Sequence, residues 1–82
     1  MNLKTNLAYR KIDNKTFVVD MQNSMLHSIN ETGSEIIELL KKRNSVEDII
    51  KNIVEKYEVN EEQARQDVKN FILSLKEKKI IE

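Results

Sequence analysis

An α+β fold is predicted, a three-stranded antiparallel sheet followed by three helices, on three observations. Up to Ile29 the apolar residues come in short β-branched and aromatic runs separated by polar turns; from Glu31 onward they recur at intervals of three and four. Between the two regimes lies Ile29-Asn30-Glu31-Thr32-Gly33, which holds the chain's only glycine and two side chains able to cap a helix. There is no proline anywhere. The 82 residues are expected to form one domain, 1–82, because so small a core cannot be divided and still outweigh an ordering entropy of roughly 1.5 kcal/mol per residue.

The strands follow in order. Ala8-Tyr9-Arg10-Lys11-Ile12 and Thr16-Phe17-Val18-Val19-Asp20 flank the polar turn Asp13-Asn14-Lys15 and read as a hairpin over about 8–12 and 16–20. Met21-Gln22-Asn23-Ser24 turns the chain again into a third strand at about 25–29, Met25-Leu26-His27-Ser28-Ile29. Such a meander is stable only with one face covered, so the helices must lie on it. Phe17 and Val19, on one strand face, are read as core together with Phe71 and Leu75.

The helices are predicted at about 31–42, 46–57 and 61–78. In the first, Ile36, Ile37, Leu39 and Leu40 form the apolar side; Thr32 with Glu35 has capping-box spacing, and Asn30 competes for the cap. Gly33 is read as small so that this helix can approach the sheet. Asn44, after the helix, is able to take the left-handed conformation that a helix end asks for. In the second helix Ser45 caps, Glu47 and Asp48 suit the positive end of the dipole, and Val46, Ile49, Ile50, Ile53, Val54 and Tyr57 make one stripe. In the third, Asn60 caps with Gln63 in position to answer it, and Ala64, Val68, Phe71, Ile72 and Leu75 share one arc. Leu73 lies off that arc beside Arg65, Lys69 and Lys76, as a stray surface leucine or a contact for a partner.

Composition and motif content exclude several functions. Fourteen basic residues balance fourteen acidic ones, so no long-range field draws the chain to nucleic acid or an anionic membrane. Cysteine is absent and His27 is the only histidine, which removes disulfides, thiolate metal sites and nucleophile–histidine relays oriented by a second histidine. One glycine cannot build a phosphate-cradling loop. Neither a signal peptide nor a membrane span is read in the chain, so a cytoplasmic, non-catalytic protein without cofactor or metal is expected. His27 is read as a half-buried sheet residue. The order of elements is also winged helix-turn-helix-like, and a DNA-binding transcriptional regulator is the alternative; its second helix, however, would present the mixed face Glu47, Asp48, Lys51, Asn52, Glu55 and Lys56.

Four stretches carry a family resemblance. Leu26-His27-Ser28-Ile29-Asn30-Glu31-Thr32-Gly33-Ser34-Glu35-Ile36-Ile37-Glu38-Leu39-Leu40 resembles the L-N-E-T-[AG]-x-x-I run of the PqqD-like family, the peptide recognition elements of ribosomally made, post-translationally modified peptide pathways. Ser45-Val46-Glu47-Asp48-Ile49-Ile50 and Tyr57-Glu58-Val59 are similar to its T-V-E-E-I-V and Y-D-V, and Asp67-Val68-Lys69-Asn70-Phe71-Ile72 to its D-V-x-x-F-L. The chain departs from the pattern at Arg43-Asn44, where Asp-Gly is frequent, and at Lys79, where glycine is usual.

The resemblance implies a domain that binds the leader segment of a precursor peptide as a strand added beside the third strand and against the third helix. It also implies a modifying enzyme as second partner, such as a radical SAM maturase or a leader peptidase and cyclase system, and neither nucleic acid nor membrane. Ser24, Met25, Leu26, His27, Ser28 and Ile29 are expected to offer main-chain pairing, and the Arg65, Lys69, Ile72, Leu73 and Lys76 flank to meet leader side chains, with the basic residues suiting an acidic leader. Read without the family, Ile72 is equally a core residue, and Lys69 and Lys76 are solvated surface. The third strand's edge can also pair with a second copy of the chain, giving a homodimer.

Overall fold

In the computed structural model, residues 2–4 and 6–82 are described; Met1 and Thr5, in the N-terminal stretch that is read as no signal peptide, lie outside them. Strands β1 (Ala8–Ile12), β2 (Lys15–Asp20) and β3 (Met25–Ile29) form an antiparallel sheet in that spatial order. Helices α1 (Glu31–Lys41), α2 (Val46–Tyr57) and α3 (Glu61–Glu77) follow. The expected α+β order is therefore present.

The sheet's pleat decides which residues enter the core. Ile12 pairs with Lys15 across the two-residue loop Asp13-Asn14, and Val18 stands between Tyr9 and His27. Alternation then sends Thr16, Val18 and Asp20 to the helix-covered side, where all three are buried. Phe17 and Val19, expected in the core, point to the other side with Ala8, Arg10 and Leu26, and are only half-buried. A one-residue offset inverts a whole strand. In a run such as Thr-Phe-Val-Val, apolar residues occupy both faces, and only pairing partners reveal which face is covered.

Every helix begins on a side-chain cap. Asn30 Oδ1 accepts from the Gly33 amide at 2.8 Å, Ser45 Oγ from Asp48 at 3.1 Å and Asn60 Oδ1 from Gln63 at 2.7 Å. Thr32 does not cap α1: it lies inside the first turn, since Asn30 still has extended backbone and takes the cap position. Gln63 does not return to Asn60 either, because its amide donates to Asp67 Oδ1 at 2.8 Å.

Two helices end alike. The amides of Arg43 and Asn44 bond Leu40 O and Leu39 O, and those of Lys79 and Ile80 bond Lys76 O and Leu75 O, the paired bonds of a Schellman turn. The left-handed residue of the first turn is Arg43 (φ 62°), not Asn44, whose amide group instead donates to Leu39 O at 3.0 Å. Lys79 (φ 59°) occupies the same position after α3. A side chain there costs about 1–2 kcal/mol, part of which reflects the unfolded freedom of glycine. Lys79→Gly is thus expected to raise stability by about 0.5–1 kcal/mol, read as a higher urea midpoint at unchanged slope.

The β2–β3 turn, Met21 to Ser24, is held by Asp20, whose carboxylate accepts from the Asn23 amide at 3.1 Å and from Asn23 Nδ2 at 2.8 Å. These bonds, first that of the Asn23 side chain, hold the Asp20 carboxyl below its ordinary range. A carboxyl lowered by folding stabilises the folded chain above its unfolded pKa, and that contribution fades as pH falls through the folded value. Asn23→Ala is expected to move the Asp20 titration, followed by carboxylate NMR, back toward ordinary values and to shrink this acid-dependent part of the stability.

The core lies between sheet and helices, with Val18 and Ile29 meeting Ile36, Ile37, Ile49, Ile50, Val68 and Leu75. Ile80 and Ile81 close it from below, and the chain ends are tied by Lys4 N to Ile80 O (2.9 Å) and Glu82 N to Asn2 O (3.0 Å). No helix among the described residues is long and apolar enough to cross a membrane.

Candidate functional site

The sheet has two free edges, and they differ in charge. β1 carries Arg10 and Lys11 in succession, a usual defence against pairing with another chain, whereas β3 has no Lys, Arg, Asp or Glu. Among the described residues no strand lies beyond β3. Its side chains are open as well: Met25 is 50% and Leu26 66% exposed, His27 is half-buried, and only Ile29 is fully inside.

Helix α3 lies by this edge, with Asp67 to Phe71 near Asn30 at the end of β3 and its C-terminus near Met25 and His27. At the C-terminal end of β3 a hollow of about 260 Å³ opens between α1, α2 and α3. Its apolar wall is Ile36, Ile53, Val68 and Phe71, and its rim is Asn30, Thr32 and Asp67. At the other end a hollow of about 280 Å³ lies between Met25 and His27 of β3 and the α3 terminus at Glu77, Lys78 and Lys79. These hollows stand toward opposite ends of the space between β3 and α3, called the groove below.

Gly33 makes the groove's inner corner. A methyl group built on it would stand 2.6 Å from Ile29 Cγ2 and 2.6 Å from Phe71 Cε1, so β3, α1 and α3 meet where a side chain is missing. Its φ is not positive, and close approach is the whole reason for glycine here. The expectation that Gly33 lets α1 approach the sheet holds, with α3 brought in as well.

The sequence-derived site residues divide. Met25 to Ile29 form β3 itself, while Ser24 is the left-handed residue (φ 53°) that ends the preceding turn. Ile72 is a core residue, 7% exposed. Arg65 turns toward α2, where its guanidinium grips Glu47 through bonds of 2.6 and 3.0 Å; that contact lowers the Glu47 carboxyl and raises Arg65 from their ordinary values. Lys69, Leu73 and Lys76 are exposed, and at 100° per residue they lie about 140–200° around the helix from Phe71. The α3 residues that line the two hollows are instead Asp67, Val68, Phe71, Glu77 and Lys78, and Asn70 and Ser74 share the exposed arc of Asp67 and Phe71. Sequence periodicity shows two flanks beside a buried arc and cannot say which borders the sheet; the D-V-x-x-F spacing was the available signal for Asp67 and Phe71.

The helix surface offers little to DNA. Lys56 donates to Glu35 at 2.8 Å as Arg65 does to Glu47, so two of its cations are already answered by acids.

Fold and edge together define a class: a small α+β domain with helices on one sheet face and an open, uncharged strand edge facing a helix across a groove. The chain belongs to the PqqD family, whose model, coenzyme PQQ synthesis protein D, matches residues 15–81. No curated protein matches it. Two solved structures share its fold. TbiB1 in complex with the TbiA(beta) leader peptide has a TM-score of 0.94 at 23% identity, over 100% of this chain and 95% of that one. Lasso peptide synthetase B1 complexed with the leader peptide has a TM-score of 0.87 at 23% identity, over 94% and 91%.

Proposed function

We propose that this chain binds the leader segment of a ribosomally synthesised precursor peptide as a fourth strand on β3, and holds it for a modifying enzyme without catalysing a step itself. One observation carries the reading: an uncharged, unpaired strand edge faces a groove with an apolar hollow, while the opposite edge is guarded by Arg10 and Lys11. Strand addition takes its affinity from main-chain hydrogen bonds along such an edge and its specificity from pockets for alternate side chains. Membership of the PqqD family and the two leader-peptide complexes among its structural neighbours support it. The latter also favour a lasso-type peptidase and cyclase system over a radical SAM maturase as the enzyme partner.

The helix-free face of the sheet remains open when a strand is added at β3, so an enzyme can approach the bound peptide from that side. The same edge can take β3 of a second copy, and leader peptide would then displace it. Titrating a candidate leader into the ¹⁵N-labelled chain is expected to shift the amides of Met25–Ile29 together with Asp67–Lys78. Shifts confined to α2 would overturn the proposal.

A further inference from the structure

Resting on that reading, we infer that Asp67 makes the groove select a cationic residue, lysine or arginine, two positions along the peptide from an apolar residue seated against Phe71. Three observations support this. Among the described residues, Asp67 is the only charged one lining the hollow whose wall is Ile36, Ile53, Val68 and Phe71. Its carboxylate is met by a neutral donor, the Gln63 amide at 2.8 Å, and among the described residues no Lys, Arg or His stands within ion-pair distance of it. The cations of α3 that suited an acidic leader lie elsewhere: Arg65 is engaged with Glu47, and Lys69 and Lys76 are on the far side of the helix.

The spacing follows from the two geometries. Asp67 and Phe71 are one helical turn apart, about 6 Å along α3. In a strand lying alongside, side chains on one face recur every two residues, about 6.6 Å. An apolar side chain over Phe71 therefore brings its neighbour two positions away, on the side beyond Ile29, over Asp67. The positive end of α1, on the opposite wall, does not compete for an anion, because Asn30 Oδ1 caps it and Glu31 sits in its first turn.

Panning a random twelve-residue peptide library against the immobilised whole chain tests this. The wild-type pool is expected to show Lys or Arg two positions from a large apolar residue. Asp67→Lys should replace it with Asp or Glu, Asp67→Asn should remove the preference, and Lys69→Glu on the far flank should leave it intact. For one selected peptide, exchanging its Lys for Gln should weaken binding about two- to fivefold, and not at all on Asp67→Asn. Asp67 is exposed, so none of these variants disturbs the core. Peptides that share the apolar residue but no charge preference, or keep it on Asp67→Lys, would overturn the selectivity and leave strand addition standing. A pool with no common pattern whose members shift no β3 amide would overturn both.

Discussion

Gly33→Val is expected to remove about 3 kcal/mol of stability, a large part of what a chain of this length has, since small domains hold roughly 0.05–0.15 kcal/mol per residue. The added Cβ alone would stand 2.6 Å from Ile29 Cγ2 and 2.6 and 2.7 Å from Phe71 Cε1 and Cζ. Ile29 is 2% exposed and β-branched, so its methyl cannot swing away without moving β3. The half-buried Phe71 ring can yield, but only into the groove. Gly33→Ala tests the balance more finely: alanine gains up to about 1 kcal/mol of helix propensity against about 1–3 kcal/mol of overpacking, for a net loss of about 1 kcal/mol. Urea unfolding of both variants checks the order. A valine variant as stable as the parent would mean that β3, α1 and α3 do not meet tightly at this corner.

How much of this was legible in the sequence follows from what each signal reports. Helix positions came through because α1 to α3 bury continuous stripes, such as Ile49, Ile50 and Ile53, whose spacing needs no tertiary knowledge. Caps at Ser45 and Asn60 were readable for the same reason, being local. At α1 two candidates sat two residues apart, and the choice of Asn30 depended on where the chain leaves β3, which only the fold sets. The faces of β2 were not legible, because Phe17, Val18 and Val19 are all apolar and the sign of the alternation is fixed by pairing with Tyr9 and His27. The α3 flank was ambiguous for a similar reason. Arg65, Lys69 and Lys76 looked like a binding face, yet Arg65 serves an ion pair with α2, whereas Asp67 and Phe71, unremarkable in a helical pattern, border the open strand.

The second large effect separates those two flanks. Phe71→Ala is expected to weaken leader binding about thirtyfold or more, because the ring forms the outer wall of the apolar hollow, and buried aromatic anchors cost about 2 kcal/mol or more when truncated. It should also cost folding stability, by less than the 3–5 kcal/mol of a fully buried phenylalanine, since the ring is half-buried. Leu73→Ala is the matched comparison. Leu73 is 55% exposed and by helical periodicity lies on the opposite side of α3 from Phe71, so its truncation should alter stability by no more than about 0.5 kcal/mol and leave affinity unchanged. Binding is read by fluorescence anisotropy of a labelled leader peptide, with unfolding followed separately so that lost affinity is not mistaken for lost fold. Affinity lost on Leu73→Ala but kept on Phe71→Ala would move the site to the outer flank of α3. A strand paired to β3 could not reach that flank, so the result would remove strand addition along with the groove.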